Sequence, residues 1–260
     1  GLDDSYPVQY LHWIEDLGRF DLGKSVLTQT SVTSEFKSRF PVSLELMFLT
    51  LVLTVAFGIP FGIVSAVKRN GLVDYLVRFF AVVGLAVPAF WIATLVILIP
   101  SAKWGYAPPF NEQISFFSDP WANIKQFGPP AAVLALGSTA GIMRLVRSEL
   151  LEVLRADYIR TARAKGLSGQ RVVLRHALKN SLIPVVTVLG LIMSGLLGGS
   201  IIIETIFNLR GLGAYIFTAT LQKDFAVVQT LVIYTAAAAI LLNLAVDILY
   251  AVLDPRIRYS

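Results

Sequence analysis

The sequence predicts an all-α protein, a polytopic bundle of transmembrane helices. Three observations predict it: 55% of the residues are hydrophobic, only 15% are charged, and the mean hydropathy is +0.69. A water-soluble domain carries about a quarter charged residues. The apolar residues form long runs without the strict alternation that is typical of strands in a membrane barrel. Lipid rather than water is therefore the expected solvent of most of this surface.

The charges and the missing residue types argue against several function classes. The net charge of +5 and the pI of about 9.5 suit nucleic acid, but the aromatic residues lie inside apolar runs rather than among the basic ones. An anionic inner leaflet accounts for the same excess, so nucleic acid is not an expected partner. The chain has no cysteine, and its two histidines, His12 and His176, lie far apart in sequence. We therefore expect neither a disulfide nor a zinc site.

Five apolar segments are predicted to cross the membrane. Four of them contain no charged residue and exceed the roughly 20 residues that a helix needs to span the hydrocarbon; they are residues 46–67, 79–102, 181–203 and 225–246. The remaining segment, residues 128–143, is shorter. It is expected to continue to about Glu149, with Arg144 and Arg147 reaching the lipid headgroups.

The lysines and arginines of the connecting segments predict the orientation. They are concentrated between the first two spans, after the third span and at the C-terminus, so these regions are assigned to the cytoplasm. Residues 1–42 then form an extracytoplasmic segment, and residues 43–260 form the transmembrane domain. Because an exported N-terminal segment needs something upstream to export it, an additional first helix is expected before Gly1. This gives six spans with both termini in the cytoplasm.

Small residues and prolines inside the spans indicate close helix packing. Three pairs of glycines recur at a spacing of four, namely Gly58/Gly62, Gly137/Gly141 and Gly195/Gly199. Such pairs let helix backbones approach closely in lipid. Pro60 and Pro88 lie mid-span, where each removes a hydrogen bond and favours a kink. Two interpretations stay open: ordinary packing, or kinked helices that line a gated path.

One motif matches a nucleotide site by letter only. Residues 18–25, Gly-Arg-Phe-Asp-Leu-Gly-Lys-Ser, fit the phosphate-loop pattern G-x-x-x-x-G-K-[ST]. That loop requires a strand before it, whereas residues 10–17 have the pattern of an amphipathic helix. Arg19 and Phe20 are bulky, and Asp21 would place a carboxylate beside phosphate. We expect this chain neither to bind nor to hydrolyse ATP.

The segment after the third span, about residues 152–183, has the pattern of a protruding helical hairpin. Residues 157–166 are predicted to form a short helix that Gly166 ends, and residues 170–180 a second helix. The small side chains of Ala162 and Ala164 suit insertion into a partner's groove. The basic residues suit a hairpin that lies on anionic lipid equally well. Both interpretations stay open on the residues alone.

This segment resembles the cytoplasmic "EAA" loop of binding-protein-dependent ABC importer permeases, whose pattern is E-A-A-x3-G-x9-I-x-L-P. Residues 160–162, Arg-Thr-Ala, occupy its first three places, Gly166 stands at the expected spacing, and residues 176–179, His-Ala-Leu-Lys, stand where I-x-L-P would be. The glutamate, isoleucine and proline are replaced. These departures are similar to the oligopeptide/dipeptide branch, in which Arg-Thr-Ala-Arg-Ala-Lys-Gly-Leu and His-Ala-Leu-Lys-Asn recur. Further similar segments cover nearly the whole chain, and residues 249–259 are the most specific of them.

The resemblance implies a type I ABC importer permease fold and the "B-type" permease of the pair, in a prokaryotic plasma membrane. It implies four kinds of partner: a homologous C-type permease, two ATPase subunits that bind ATP and Mg, an extracytoplasmic substrate-binding protein and membrane lipid. No cofactor or metal is implied in this chain, which is not expected to be an enzyme. The coupling residues that the resemblance implies are Arg160, Thr161, Ala162, Arg163, Ala164, Lys165 and Gly166.

Two acids near span ends are candidates for the pathway. Glu204 is predicted to line the gate or to receive a peptide amino group, and Asp247 is a weaker candidate near the inner end. The cargo implied by the resemblance is short peptides, with nickel complexes, glutathione or oligosaccharides as alternatives. An ion-gradient-driven secondary transporter remains the alternative function, although the expected mid-membrane acids are missing. An intramembrane enzyme is a third hypothesis, for which the spans offer no catalytic constellation.

Overall fold

The computed structural model describes residues 3–105 and 113–253. Helices joined by turns and short loops make up this part of the chain, and its β-pairing is limited to one isolated antiparallel bridge between Lys24 and Ser31. The helices before the hairpin are α1 (Tyr6–Gly18), α2 (Val32–Val67), α3 (Leu72–Ala86), α4 (Ala89–Trp104) and α5 (Pro120–Val153). The hairpin comprises α6 (Asp157–Ala164), α7 (Gly169–Arg171), a π-helical segment (Val172–Ala177) and α8 (Leu178–Ser181). The last helices are α9 (Ile183–Gly199), α10 (Ile201–Ile206), α11 (Leu212–Leu221) and α12 (Phe225–Leu253).

The spans agree in number with the sequence analysis but not in shape. Within the described ranges, α2, α5 and Phe225–Val246 of α12 are each long and apolar enough to cross a membrane. Two bent pairs pass the same test together, α3 with α4 and the 169–181 helix with Ile183–Gly198 of α9. α5 is longer than predicted. α9 ends at Gly199, and the single residue Ser200 separates it from α10.

The predicted span over residues 79–102 is divided between two helices, and the kink expected at Pro88 is a sharp bend. α3 and α4 meet at an angle of 93°. The physical reason is Pro88, which disfavours a helical conformation in the preceding residue and has no backbone N–H. Val87 is accordingly extended, with φ −88° and ψ 125°. Pro60, in contrast, lies inside the continuous helix α2.

α2 and α5 form the centre of the bundle and pack through one of the predicted glycine pairs. A Cβ atom on Gly58 would lie 2.8 Å from Ile142 Cγ2, and one on Gly62 would lie 2.7 Å from Val146 Cβ. The predicted close approach is therefore confirmed here. A Cβ atom on Gly141 would meet no described atom within 4 Å. The Gly137/Gly141 pair therefore does not make a comparable close helix contact within the described part of the chain.

The N-terminal segment is fastened to the start of α2 and to the α11–α12 corner. Leu22, Val32 and Phe36 are buried in a cluster with residues of α11 and α12. The Ser25 hydroxyl donates to a carboxylate oxygen of Asp224. The motif at residues 18–25 therefore follows a helix, α1, and its serine bonds within the fold. Because α2 begins at Val32, the predicted division at residues 42/43 falls inside a continuous helix.

Candidate functional site

The hairpin, residues 157–181, follows α5 directly and packs on the ends of α2 and α5. Ile159 and Ala162 of α6 and Val172 and Ala177 of the π-helical segment lie in one buried cluster with Ala66 of α2 and Leu150 of α5. Ile159, Val172 and Ala177 are all fully buried. The two predicted helices are confirmed within a few residues. Because its apolar face is shared with two long helices, the hairpin can transmit a push to both.

Ala162 lies on the inner side of this hairpin. Its side chain is 9% exposed and contacts the cluster of Ile159 and Val172. The contact of Ala162 with a partner's groove stays a prediction; within this chain its side chain faces the hairpin's own apolar cluster. Residues three positions apart lie on one face of a helix, so burial of Ile159 brings Ala162 inward as well. Ala164 is exposed, as a docking residue must be.

Gly166 ends α6 by adopting a conformation that other residues avoid. Its φ is +79°, and its N–H donates to the carbonyl of Arg163 at 2.9 Å, while the N–H of Leu167 donates to the carbonyl of Ala162 at 3.4 Å. This pair of bonds is the Schellman arrangement, which satisfies the last carbonyls of a helix. The predicted glycine turn is confirmed, and its function is to reverse the chain between the two hairpin helices.

The outer side of the hairpin is basic and open. Arg160, Thr161, Arg163, Ala164 and Lys165 are all exposed. Arg160 pairs with Asp157 in the first turn of α6, and the Thr161 hydroxyl donates to the Asp157 carbonyl at 3.1 Å. Asn180 Nδ2 donates to the Tyr158 hydroxyl at 2.9 Å and so links the two helices. These contacts connect the first turn of α6 to itself and to α8, and the exposed residues 160, 161 and 163–165 form a basic tip.

A buried ion pair next to the hairpin end of the bundle was missed in the sequence. The carboxylate of Asp74 is fully buried and accepts hydrogen bonds from Nε and Nη2 of Arg147 at 2.8 and 2.9 Å. It also accepts from the Ser65 hydroxyl at 2.6 Å and from the Asn70 N–H at 2.9 Å. Three helices, α2, α3 and α5, thus meet at one carboxylate. The Arg147 guanidinium, which was predicted to extend to the headgroups, is held by Asp74 between α3 and α5.

Glu204 is enclosed within the chain at the opposite end. Its side chain is fully buried. The carboxylate accepts from the hydroxyls of Ser43 and Ser200 at 2.8 and 2.7 Å, and from the Ala214 N–H at 2.9 Å. A Cβ atom on Gly211 would overlap the Glu204 carboxyl group, so this glycine is required for the close approach. The gate role of Glu204 stays a prediction; in this conformation hydrogen bonds within the chain surround the carboxylate.

Some predicted features lie outside the described part of the chain. The motif at residues 249–259 falls largely in the segment 254–260, and the loop between α4 and α5 includes residues 106–112. The helix α12 passes through position 247, but the side chain of Asp247 is not described. Within the described ranges, no group of three or more His, Asp and Glu side chains is arranged to hold a metal ion.

The chain is similar to known transport proteins over its whole length. It is 38% identical to the oligopeptide transport system permease protein AppB of Bacillus subtilis, over 100% of this chain and 83% of that protein. It is 40% identical to the dipeptide transport system permease protein DppB of Escherichia coli, over 100% of this chain and 83% of that protein.

Solved structures share the fold. A chain of the inward-facing MetNI methionine ABC transporter superposes with a TM-score of 0.68 and 17% identity, covering 84% of this chain and 96% of that one. An amino acid ABC transporter gives a TM-score of 0.61 at 17% identity, covering 86% and 95%. The fold is therefore that of an ABC importer transmembrane subunit. The family model for the binding-protein-dependent transport system inner membrane component matches residues 58–259. The chain belongs to this family of multi-pass inner-membrane transport permeases.

Proposed function

We propose that this chain is one of two permease subunits of an ATP-driven importer and forms part of the pathway for short peptides. The named relatives transport oligopeptides and dipeptides and match this chain from end to end. The partners are a second permease, two ATPase subunits and an extracytoplasmic binding protein. ATP and Mg belong to the ATPase subunits, so this chain supplies the path and the mechanical contact but no catalytic group.

The observation that carries the proposal is the packing of the hairpin on the bundle. A docking hairpin can move the membrane helices only if it keeps its own shape and packs firmly against them. The cluster of Ile159, Val172 and Ala177 continues into Ala66 and Leu150, on α2 and α5. An ATPase that binds the exposed tip at Ala164 therefore moves the hairpin, and α2 and α5 move with it. Basic residues of the tip suit an acidic groove on that partner.

The Asp74 ion pair extends this coupling to a third helix. Asp74 stands in the first turn of α3, and Arg147 lies near the hairpin end of α5. Movement of α5 is thus passed to α3, and through the 93° bend to α4. Rotation of such a unit opens the path to one side of the membrane and then to the other. To shift a two-state equilibrium from 1:99 to 99:1 the partners must supply about 5.5 kcal/mol of differential binding.

The proposed orientation places the hairpin in the cytoplasm and the α1 and α10–α11 regions outside the cell. The basic residues of the hairpin and of the turn after α2 support it. The extracytoplasmic region then offers α1, the 19–31 segment and the 207–224 corner to the binding protein. Arg39 stacks over the ring of Tyr215, with 4.5 Å between the guanidinium carbon and the ring centroid, and so braces this outer surface.

The proposal is tested by uptake into proteoliposomes that contain both permeases and both ATPases, with the binding protein outside. We expect uptake of labelled di- and tripeptides that requires ATP and the binding protein. Uptake driven by an ion gradient without the ATPases would contradict the proposal and establish the secondary transporter. ATP-dependent uptake of nickel complexes, glutathione or oligosaccharides instead of peptides would contradict the cargo.

A further inference from the structure

A basic cleft lies between α3 and α5 at the hairpin end of the bundle. Its volume is about 710 Å³, and three of its lining residues are arginines. The complete lining is Arg78, Val82, Gly141, Arg144, Leu145, Arg147 and Ser148. The exposed end of the hairpin around Ala164, which is proposed to contact the ATPase, contributes no residue to this cleft.

The arginines of the cleft carry more positive charge than the neighbouring Asp74 neutralises. Asp74 is bonded to Arg147 and lies 3.6 Å from Arg78, measured from Nε to Oδ1. Within the described ranges no other acid forms an ion pair with these residues, and Arg144 forms none. Three arginines against one aspartate leave two positive charges. The buried Nε of Arg78 donates no hydrogen bond to a described residue. The cleft is thus supplied with donors for an oxyanion.

With α5 centred in a bilayer, the cleft lies near the depth of the lipid headgroups. α5 has 34 residues, which at 1.5 Å per residue is about 51 Å and exceeds the ~30 Å of hydrocarbon by about 10 Å at each end. Arg144 precedes the last residue of α5, Val153, by roughly 14 Å of helix at that rise. Its guanidinium, on a long flexible stem, therefore reaches the boundary between hydrocarbon and headgroups.

Apart from the arginines and Ser148, the lining of the cleft is apolar. Val82 is 60% exposed, and Gly141 has no side chain to fill the space beside it. An inorganic phosphate would use the arginines but leave this surface to other contacts. A phospholipid uses both, because its phosphate bonds the guanidinium groups and its acyl chain covers the apolar part.

We propose that this cleft is a site for an anionic phospholipid, with its phosphate between Arg78 and Arg144 and an acyl chain along Val82 and Gly141. The site rests on the orientation proposed above, which places it in the inner leaflet, where anionic lipids supply the ligand. A lipid bound there packs against both α3 and α5 and stabilises their contact. Arg147 positions the site through Asp74, and is not itself a free donor.

The test uses the whole importer in nanodiscs of phosphatidylcholine with a minor share of phosphatidylglycerol. Lipids that remain bound after mild detergent extraction are counted by native mass spectrometry. We expect phosphatidylglycerol to be retained over phosphatidylcholine and Arg144→Gln to reduce its retention about fivefold, which corresponds to the ~1 kcal/mol per basic residue near an anionic surface. Arg144→Lys should keep most of it. Arg69→Gln is the matched control, since Arg69 is exposed outside the cleft in the turn after α2.

Three outcomes would overturn the inference. One is equal retention of phosphatidylglycerol in Arg144→Gln and Arg69→Gln. The second is equal retention of the two lipids by the unaltered protein. The third is displacement of the bound lipid by millimolar inorganic phosphate, which would assign the cleft to a free anion. Lipid retention is measured without transport, so it can fail while ATP-dependent peptide uptake succeeds, and the reverse. The two proposals are therefore separable.

Discussion

Asp74 and Arg147 form a bidentate ion pair that joins α3 to α5, with N–O distances of 2.8 and 2.9 Å on a carboxylate that is fully buried. The pair lies beside the hairpin cluster and completes the attachment of three helices to one end of the bundle. The hairpin packs directly on α2 and α5, and the ion pair connects α3 to α5. The hairpin end of the bundle is thus held together by a buried ion pair as well as by an apolar cluster.

Loss of Arg147 should destabilise the bundle. Arg147→Met leaves the buried Asp74 carboxylate without its main partner, and breaking a buried pair in this way costs about 3–5 kcal/mol. We expect a lower melting temperature of the purified complex. The double variant Asp74→Leu with Arg147→Met should recover a good part of it, because no unpaired charge remains. If the double variant melts below both single variants, the ion pair does not act as the connection between α3 and α5.

Ala162 and Ala164 should respond in opposite ways to a larger side chain. Ala162→Asp places a carboxylate in the apolar cluster of Ile159 and Val172, so the hairpin should become sensitive to protease and the complex less stable. Ala164→Trp, on the exposed side, should leave stability unchanged but reduce ATP-driven uptake by at least about tenfold, equivalent to roughly 1.4 kcal/mol of lost coupling. Protease protection and uptake are measured on the same preparations. Full uptake by Ala164→Trp would contradict the docking role.

Gly166 should tolerate only substitutions that accept a positive φ. Gly166→Ala should destabilise the hairpin by about 1–2 kcal/mol, because a left-handed conformation crowds its Cβ. Gly166→Asn should cost less. Gly169→Ala is the control, since its backbone is not left-handed and the structure describes no atom within 4 Å of an added Cβ. Urea unfolding of the hairpin, followed by a fluorophore at Arg163→Cys, measures the difference. Equal midpoints for the two alanine variants would contradict the prediction.

Glu204 should behave as a structural residue. Glu204→Gln replaces one of the two accepting oxygens by an NH2 group, which cannot accept. Either the bond from the Ala214 N–H or the two bonds from the Ser43 and Ser200 hydroxyls are therefore lost, at a cost of about 1–3 kcal/mol per lost bond. We expect a lower melting temperature and easier cleavage at residues 207–211, with an unchanged KM for peptide in the complexes that survive. A raised KM at unchanged stability would favour the gate hypothesis.

Asp224 should make the outer corner sensitive to acid. Burial raises the pKa of its carboxyl. Hydrogen bonds from the Ser25 hydroxyl and from the Val227 and Val26 N–H groups lower the pKa, and together they outweigh burial, so the pKa lies below its ordinary 3.8. The stabilisation is complete above that value and is lost as the pH falls through the lower value of the folded state. Pepsin should therefore cleave residues 19–31 only at the acid end of its range.

Ser25→Ala removes one of the bonds that lower this pKa, so its cleavage should begin at a higher pH than that of the unaltered chain. Thr30→Ala is a control on the same segment whose hydroxyl bonds Thr28 and not Asp224. Identical pH profiles for the Ser25 and Thr30 variants would contradict the assignment to Asp224.

Local features were predictable, and the long-range polar contacts were not. The hairpin follows from a helix pattern, a glycine and small residues within about 25 positions of one another, and the five spans follow from apolar length. Asp74 and Arg147 are 73 positions apart, and Ser43 and Glu204 are 161 apart. Nothing in either neighbourhood predicts its partner. Burial of Ala162 was missed for a related reason, because it depends on Ala66 and Leu150 of other helices.

A kink at Pro88 was predicted from the sequence, but the 93° angle between α3 and α4 was not. Proline predicts a kink, and both Pro60 and Pro88 were candidates. α2 stays continuous through Pro60 and packs closely against α5 at Gly58 and Gly62, on either side of that proline. Val87, before Pro88, is extended, and the helix ends there.

Cross-linking from the tip of the hairpin tests the central claim most directly. The chain has no cysteine, so Ala164→Cys carries a single thiol, and Val26→Cys, exposed at the opposite end of the bundle, is the matched control. With a short bifunctional reagent in native membranes, Ala164→Cys should capture an ATP-hydrolysing subunit, with a yield that changes when ATP is trapped, and Val26→Cys should not. Absence of any ATPase from the Ala164 adducts would contradict the coupling role of the hairpin.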